Sequence, residues 1–424
     1  MVNIAELNGR RDKVLGAGTP LFYSEPLHLV RGEGVHLFDP NGRRYTDMYN
    51  NVASVGHCHP HVVGAISRQV KTLNVHSRYL HEGVVKYAER LTNKHHEGIE
   101  CAIFTCSGTE ANEVALLMAR GATKARGIIC TNAAYHGNSA AVRALTRRGE
   151  GATDASEEVR AVSFPETYRF VGNDACSFYL EELDRTIDSF RKDDIPFAGM
   201  LICPIFANEG LPNVPDGYLP AAVEMVHEAG GLLICDEVQS GLCRTGKWWG
   251  YQGMDVQPDI VTMGKPIGAG VPLAGVAASR ELVEEFRSET RYFNTFASSP
   301  LQAAAGNAVL DVIKNEDLQE SVQAVGAKLL EQLKQVQHGF EQIGDVRGAG
   351  LFIGMEWVTD RTTKKPDVEG AKRIVDSLKD KGFLISNAGA YGNMLKIRPP
   401  LVFQHSDSEE FVQAFKETLR ELYG

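Results

Sequence analysis

The sequence predicts an α/β fold: a large domain built on a mostly parallel seven-stranded sheet flanked by helices, with a smaller α+β domain beside it. Three observations carry this reading. The chain has 424 residues of ordinary globular composition, 43% hydrophobic and 23% charged, and a length of about 150 residues per domain gives it two or three domains. Seven short apolar runs alternate with helix-like stretches between residues 101 and 279, as buried parallel strands do when helices cover both faces of their sheet. Near residue 300 the texture changes to long helical stretches and isolated strand pairs.

Taken in order, residues 32–48 (GEGVHLFDPNGRRYTDM) read as a hairpin, because two alternating runs flank the turn residues Asp39-Pro40-Asn41-Gly42. The seven runs follow: CAIFTC (101–106), GIICTN (127–132), AVSF (161–164), GMLICPI (199–205), GLLICDE (231–237), DIVTM (259–263) and LAGVAAS (273–279). Beyond them come a helical stretch over 301–340, the run GAGLFIGMEWV (348–358), a helical stretch over 369–380, FLIS (383–386), MLKI (394–397) and a final helix over 407–422. An isolated hairpin is marginally stable, so the N-terminal one is expected to join the C-terminal part. The boundaries expected are 1–55 for an N-terminal segment packing with the small domain, 56–300 for the large domain and 301–424 for the small one.

The charge balance, 54 acidic against 44 basic residues for a net −10, argues against nucleic acid as a partner. No apolar run reaches the length of a membrane span. The first residues, MVNIAELNGRRDKVL, carry no apolar signal core, so a cytoplasmic protein without a membrane partner is expected. The eight cysteines form no CxxC pair, and Cys101, Cys106, Cys130, Cys203 and Cys235 lie in or beside the apolar runs. They read as buried free thiols in a reducing compartment.

Four segments could carry chemistry, and each follows one of the apolar runs. In such sheets ligands sit at the carboxyl ends of the strands. In CSGTEANEVALLMAR (106–120) a strand gives way to a helix, with Ser107 and Glu110 spaced as a capping box. The same helix start would bind a phosphate, and Gly108 lets a ligand approach the backbone; a plain helix cap would equally account for it. In ICDEVQSG (234–241), Asp236 ends an apolar strand and calls for a cationic partner, either an arginine or a protonated pyridine nitrogen. Gln239, three residues on, could bond a ring hydroxyl or simply occupy a turn. In DIVTMGKPIGAG (259–270), a partly desolvated Lys265 would have a lowered pKa and attack a carbonyl, unless it snorkels to solvent. In AAYHGNS (133–139), Tyr135 could stack on a flat ring beside His136, or pack on its own scaffold.

Singly, each segment has an ordinary structural explanation. Together, a phosphate cradle, a stacking aromatic, a carboxylate for a pyridinium and a Schiff-base lysine make up the set that pyridoxal phosphate requires. Four cysteine and histidine side chains in GHCHPHV (56–62), namely His57, Cys58, His59 and His61, match no usual zinc spacing, and no metal is expected.

With SGTEAN (107–112), YHG (135–137), DEVQSG (236–241), TMGKPIGAG (262–270) and FNTF (293–296), the chain resembles the class III, or omega-type, aminotransferases of the fold-type I pyridoxal-phosphate enzymes. The resemblance runs from the hairpin to the C-terminus. It implies that Lys265 binds the cofactor covalently and later shuttles protons, that Asp236 pairs with the ring nitrogen, and that Gln239 contacts the ring hydroxyl. Tyr135 and His136 would lie at the ring, and Ser107, Gly108 and Thr109 at the phosphate. Thr295 would reach the phosphate from a neighbouring subunit, so a homodimer with shared active sites is implied.

The same resemblance leaves two outcomes open, because transamination and elimination begin with the same carbanion. NNVASVGHCHP (50–60) and NVHSRYLHEGVVKYAERL (74–91) resemble the branch that holds alanine–glyoxylate aminotransferase 2-like proteins together with ethanolamine-phosphate and phosphohydroxylysine phospho-lyases. Two glutamates common in the family are Cys203 and Asn208 here, and the position of a common carboxylate-binding arginine is Lys396, with Arg398 just before Pro399-Pro400. Lys396 and Arg398 are candidates to hold a substrate carboxylate or phosphate. Leu21, Phe22, Tyr23, Asn50, Asn51 and Val52 are the expected pocket rim by resemblance. The expected activity is transfer of an amino group from a primary amine or amino acid to a 2-oxo acid such as pyruvate. A phospho-lyase acting on a phosphorylated amino alcohol is the alternative, and a non-catalytic cofactor-binding homologue is a third reading, opposed by the intact Lys265, Asp236 and Thr109.

Overall fold

The computed structural model describes residues 3–146 and 156–424. A first helix, α1 (Ile4–Leu15), is capped by Asn3, whose side chain accepts from Ala5 N and Glu6 N. It buries no residue, which is why no apolar periodicity announces it in the sequence. The expected hairpin is a three-stranded meander: β1 (Arg31–Glu33), β2 (His36–Phe38) and β3 (Arg44–Asp47), with Leu37 opposite Tyr45. Helices α2 (Pro60–Thr72) and α3 (Glu82–Thr92) lead into the main sheet.

That sheet has seven strands, each with its ends within three residues of those of an expected run. In chain order they are β4 (Cys101–Thr105), β5 (Gly127–Thr131), β6 (Val159–Val162), β7 (Phe197–Ile202), β8 (Leu232–Asp236), β9 (Ile260–Met263) and β10 (Ala274–Ala278). Their spatial order is β4-β10-β9-β8-β7-β5-β6. β10 runs antiparallel to both its neighbours, and the β9-β8-β7-β5-β6 pairings are all parallel. Every residue of β5, β7, β9 and β10 is buried, as expected of strands covered on both faces. The covering helices are α4 (Gly108–Thr123), α5 (Ala140–Arg143), α6 (Ala175–Lys192), α7 (Tyr218–Glu228) and α8 (Arg280–Thr290).

The C-terminal region contains α9 (Pro300–Asn315), α10 (Leu318–Gln337), β11 (Ile343–Ala349), β12 (Phe352–Trp357), α11 (Val368–Asp380), β13 (Phe383–Leu384), β14 (Ser386–Ala388), β15 (Met394–Ile397) and α12 (His405–Tyr423). Three details differ from expectation. The 301–340 helix breaks at Asp317, which sits at φ +48°. The strand before 352 was hidden, because the glycines of IGDVRGA interrupt its pattern. FLIS is two strands in two sheets: β13 pairs in parallel with β3, and β14 pairs with β15. The first of these pairings ties the N-terminal meander to the C-terminal chain.

A buried ion cluster fastens β11 and β12 to the loop after β7. Arg347 NH2 lies 2.6 Å from Glu356 Oε2 and also donates to the Gly210 carbonyl at 2.7 Å. Arg169 reaches the other Glu356 oxygen at 2.5 Å. Burial alone would raise the Glu356 pKa, but the charges of Arg347 and Arg169 outweigh it and hold the carboxyl below the usual range. Glu356→Ala leaves two guanidinium groups short of their partner and is expected to cost about 3–5 kcal/mol in denaturant unfolding at pH 7. A carboxyl depressed on folding stabilises above its unfolded pKa and ceases to do so as pH falls through the folded value. The difference between wild type and variant must therefore shrink on acidification, and a constant difference would contradict the assignment.

Candidate active site

Parallel strands β4, β5, β7, β8 and β9 end at one edge of the main sheet, and the chain leaving each one contributes to a single cavity of about 290 Å³. Ser107, Gly108 and Thr109 follow β4, Tyr135, His136 and Gly137 follow β5, and Cys203 and Asn208 follow β7. Asp236 closes β8 with Gln239 after it, and Lys265 follows β9. The connection into β10 completes the wall through Gly270 and Leu273. The nine residues expected to bind the cofactor thus come together, with the exception of Thr295.

Lys265 opens a 3₁₀ turn, Lys265–Gly268, with φ +32°. A non-glycine residue in that region is strained, a cost the surrounding structure sustains. Its side chain is exposed by area because it projects into the cavity. The protein packed around the cavity still desolvates the amine and pulls its pKa below the ordinary lysine value, Arg398 adding to this and Asp236 opposing it.

Asp236 is 6% exposed. Its Oδ2 accepts from His136 Nδ1 at 2.8 Å and Asn112 Nδ2 at 3.0 Å, and its Oδ1 accepts from Val238 N at 3.0 Å. Burial would raise its pKa, but the hydrogen bond and charge of His136, then Lys265 and Asn112, hold it below the usual carboxylate range. An ionised Asp236 requires the proton of His136 on Nδ1, and His136 Nε2 is buried with no partner among the described residues. The partner supplied by the chain is therefore a histidine and an amide rather than the arginine weighed above.

Asn112 was missed as a contributor. It accepts from Thr262 Oγ1 at 2.7 Å and donates to the His136 carbonyl at 2.7 Å as well as to Asp236, so it joins α4, β8, β9 and the loop after β5. The signal available was a polar residue among Ala111, Val114 and Ala115 on the buried face of α4. Glu209 is also buried, bonded by Thr131 Oγ1 and by Asn208 N, and burial raises its pKa.

At the phosphate-suited end, Ser107 caps α4 by accepting from Glu110 N, while the Glu110 carboxylate reaches back to Cys106 N at 2.6 Å, one residue earlier than a capping box would have it. The N–H groups of Gly108 and Thr109 belong to the first turn, which an α-helix leaves without intrahelical partners. A Cβ on Gly108 would lie 3.0 Å from Val238. A helix N-terminus, a half-buried tyrosine, an ionised carboxylate and a desolvated amine within one cavity are a donor set that fits pyridoxal phosphate.

Gly137 closes this end against α4. It has φ +147°, and a Cβ there would fall 2.5 Å from Thr109 Oγ1. Gly137→Ala is expected to destabilise by roughly 2–4 kcal/mol through strain and overpacking and to weaken cofactor binding at least about tenfold by displacing Thr109. Thermal unfolding and cofactor titration check the two effects separately.

The expected substrate residues are more dispersed. Val52 lines the cavity. Asn51 is buried and donates to the backbone carbonyls of Val238 and Gln239, at 3.4 and 3.1 Å. Phe22 is exposed and packs edge-on against Tyr49, Tyr23 is half-buried at φ +70°, and Leu21 and Asn50 are exposed. Lys396 Nζ donates to the Ala207 carbonyl at 2.8 Å. Arg398 donates to the Tyr49 carbonyl through Nε and NH2 and to Gln239 Oε1 through NH1. None of these except Val52 is part of the cavity wall. Thr295 lies exposed on the connection between α8 and α9 and does not line its own chain's cavity.

The histidines of GHCHPHV face separate carboxylates: His57 faces Asp47, His59 faces Glu316 and His61 faces Asp311. Among the described residues no three histidine, cysteine or acidic groups are placed to hold a metal ion, and no helix is long and apolar enough to cross a membrane. All eight cysteines are free; Cys130, Cys203, Cys235 and Cys243 are buried, whereas Cys101 and Cys106 are only half-buried and Cys58 is exposed.

A family described as aminotransferase class-III matches residues 23–419. The alanine–glyoxylate aminotransferase 2 homolog 2, mitochondrial, of Arabidopsis thaliana is 38% identical over 97% of this chain and 87% of its own length. The ethanolamine-phosphate phospho-lyase homolog 1 of Caenorhabditis elegans is 34% identical over 98% of this chain and 93% of its own. Among solved structures, a phospholyase from Arthrobacter in complex with phosphoethanolamine superposes with a TM-score of 0.94 at 38% identity, covering 98% of this chain and 99% of that one.

Proposed function

Since the chain belongs to the class-III aminotransferases, a pyridoxal-phosphate family, we propose that it moves an amino group from a primary amine or amino acid to a 2-oxo acid such as pyruvate. One observation carries the reading: Lys265, whose pKa is lowered, shares a cavity with the ionised, buried Asp236. Bound there, the cofactor withdraws electrons from the substrate carbon next to the nitrogen. The chain's own residues do the rest. Lys265 would hold the cofactor and, once displaced by substrate, take a proton from the amine-bearing carbon and return it to the carbon on the other side of the nitrogen. Asp236, oriented by His136 and Asn112, keeps a proton on the ring nitrogen. Ser107, Gly108 and Thr109 bind the phosphate and Tyr135 covers the ring.

Lys396 and Arg398 bind a backbone carbonyl each, so neither is poised at the cavity wall for a carboxylate. This favours an amine of the omega type, without a carboxylate next to its amino group. The enzyme is read as a cytosolic homodimer: free thiols suit a reducing compartment, and exposed Phe293, Phe296, Tyr79 and Leu80 offer an apolar surface to a second copy, which would receive Thr295. Mixed dimers of the Lys265→Ala and Thr295→Ala chains should regain activity that neither has alone; mixtures as inactive as their parents would refute a shared site.

The Arthrobacter relative's bound phosphoethanolamine keeps phospho-lyase activity as a second reading. Holoenzyme mixed with a panel of amines and with O-phosphoethanolamine, without any oxo acid, separates the two. Transamination bleaches the visible cofactor band until pyruvate restores it. Elimination releases phosphate and the band returns unaided.

A further inference from the structure

Arg398 and Asn208 form the two ends of a hydrogen-bond relay whose directions can be settled. Arg398 NH1 lies 2.6 Å from Gln239 Oε1. Gln239 Nε2 lies 3.0 Å from Asn208 Oδ1, and Asn208 Nδ2 lies 3.2 Å from the Tyr135 carbonyl. Amide oxygen and nitrogen are assigned from such networks, and here both termini are unambiguous. A guanidinium can only donate and a carbonyl can only accept. Gln239 must therefore turn its oxygen to Arg398 and its nitrogen to Asn208, and Asn208 must turn its nitrogen to Tyr135. One Nε2 hydrogen is spent on Asn208, which leaves the other on a side chain that lines the cavity.

Arg398 is itself fixed. It is 5% exposed, its Nε and NH2 both bond the Tyr49 carbonyl at 3.0 and 2.8 Å, and its guanidinium lies 5.0 and 5.3 Å from the Tyr49 and Phe352 rings. The relay also gives position 208 a requirement: the residue must accept from Gln239 and donate to Tyr135. Asparagine does both, whereas an ionised glutamate can only accept.

We propose that Arg398 and Asn208 are positioning residues that act through Gln239, locking its amide so that one N–H is aimed at the anionic ring oxygen of the bound cofactor. This rests on the cofactor assignment above and gives Arg398 a task other than holding a substrate carboxylate. A donor fixed on that oxygen stabilises its negative charge, which is least compensated once the neighbouring nitrogen has lost its proton, and so favours proton loss there. Releasing the amide must raise the pH midpoint of the cofactor's visible absorption. The charged groups acting on Lys265 are Asp236 and Arg398, with the Cys203 thiol beside them, so removing Arg398 also moves the midpoint through space, and the test must separate the two effects.

Asn208→Leu does so, because it changes no charge. In the holoenzyme it should raise the midpoint by about one unit, the size expected for loss of one well-aligned bond to a charged oxygen, and weaken cofactor binding several-fold. Arg398→Met should raise it further. In a Gln239→Ala background the Asn208→Leu shift should vanish and the Arg398→Met shift should shrink to its through-space part. Equal shifts with and without Gln239, or no shift in Asn208→Leu, would overturn the proposal. Should Arg398→Met fail to fold, Asn208→Leu and Arg398→Lys decide it, the lysine preserving the midpoint to the extent that it still donates to Gln239. A wild-type protein with no visible cofactor band would instead refute the cofactor assignment itself.

Discussion

Lys265→Ala should abolish turnover, by at least about 10³-fold, while the protein remains folded. The loss follows from two roles carried by one amine. As nucleophile it supplies the covalent attachment point, and as general base it moves the proton between the two carbons that flank the substrate nitrogen, a role worth about 10²–10⁴ by itself. The fold should survive because the side chain projects into the cavity and fills no core space. The unusual φ of +32° is held by the 3₁₀ turn and its surroundings and remains after the substitution, so unfolding free energy should move by no more than about 1 kcal/mol. The visible band characteristic of attached cofactor should be missing, and small primary amines in the medium should restore part of the activity with a pH dependence set by their own pKa. Lys265→Arg, which keeps the charge but not the nucleophile, should be equally inactive. A Lys265→Ala enzyme within tenfold of wild type would place the nucleophile elsewhere.

Much of this site could be read in the sequence because each residue stands at the end of an apolar run, and position along a parallel sheet converts that into position in space. Ser107, Tyr135, Asp236 and Lys265 are separated by 28, 101 and 29 residues along the chain, yet all leave the same sheet edge. The fold was legible for the same reason: strands buried on both faces are nearly uniform in their apolar character, as in β7 and β9. What stayed hidden depends on direction rather than composition. Asn112 acts through the rotation of α4, and Lys396 and Arg398 look alike as cations near a Pro-Pro pair although their partners are different backbone carbonyls. Helix α1 and strand β11 were illegible because one buries nothing and the other is interrupted by glycine.

Asp236→Asn should lower kcat by at least about 10²-fold, the scale on which removal of one preorganised electrostatic group slows an enzyme. Asn112 and His136 both donate to the same oxygen of Asp236, and Val238 N donates to the other. Asparagine can accept at only one of these positions. If its oxygen stays with His136 and Asn112, its NH2 faces the Val238 N–H; if it turns, it faces two other donors unless His136 moves its proton to Nε2. Either arrangement removes the negative charge that holds a proton on the ring nitrogen, so the electron demand that drives proton abstraction falls. It also removes the charge that opposes desolvation of Lys265, so the amine should be driven further below the ordinary lysine value, and cofactor should attach to the apoenzyme at lower pH than in wild type. A rate defect due to displaced structure and one due to lost charge are then separable. A cofactor analogue bearing a permanent positive charge on the ring nitrogen should restore much of the rate to Asp236→Asn and add little to wild type. If the analogue rescues nothing while the variant binds it normally, the carboxylate serves the fold of the cavity and not the ring nitrogen.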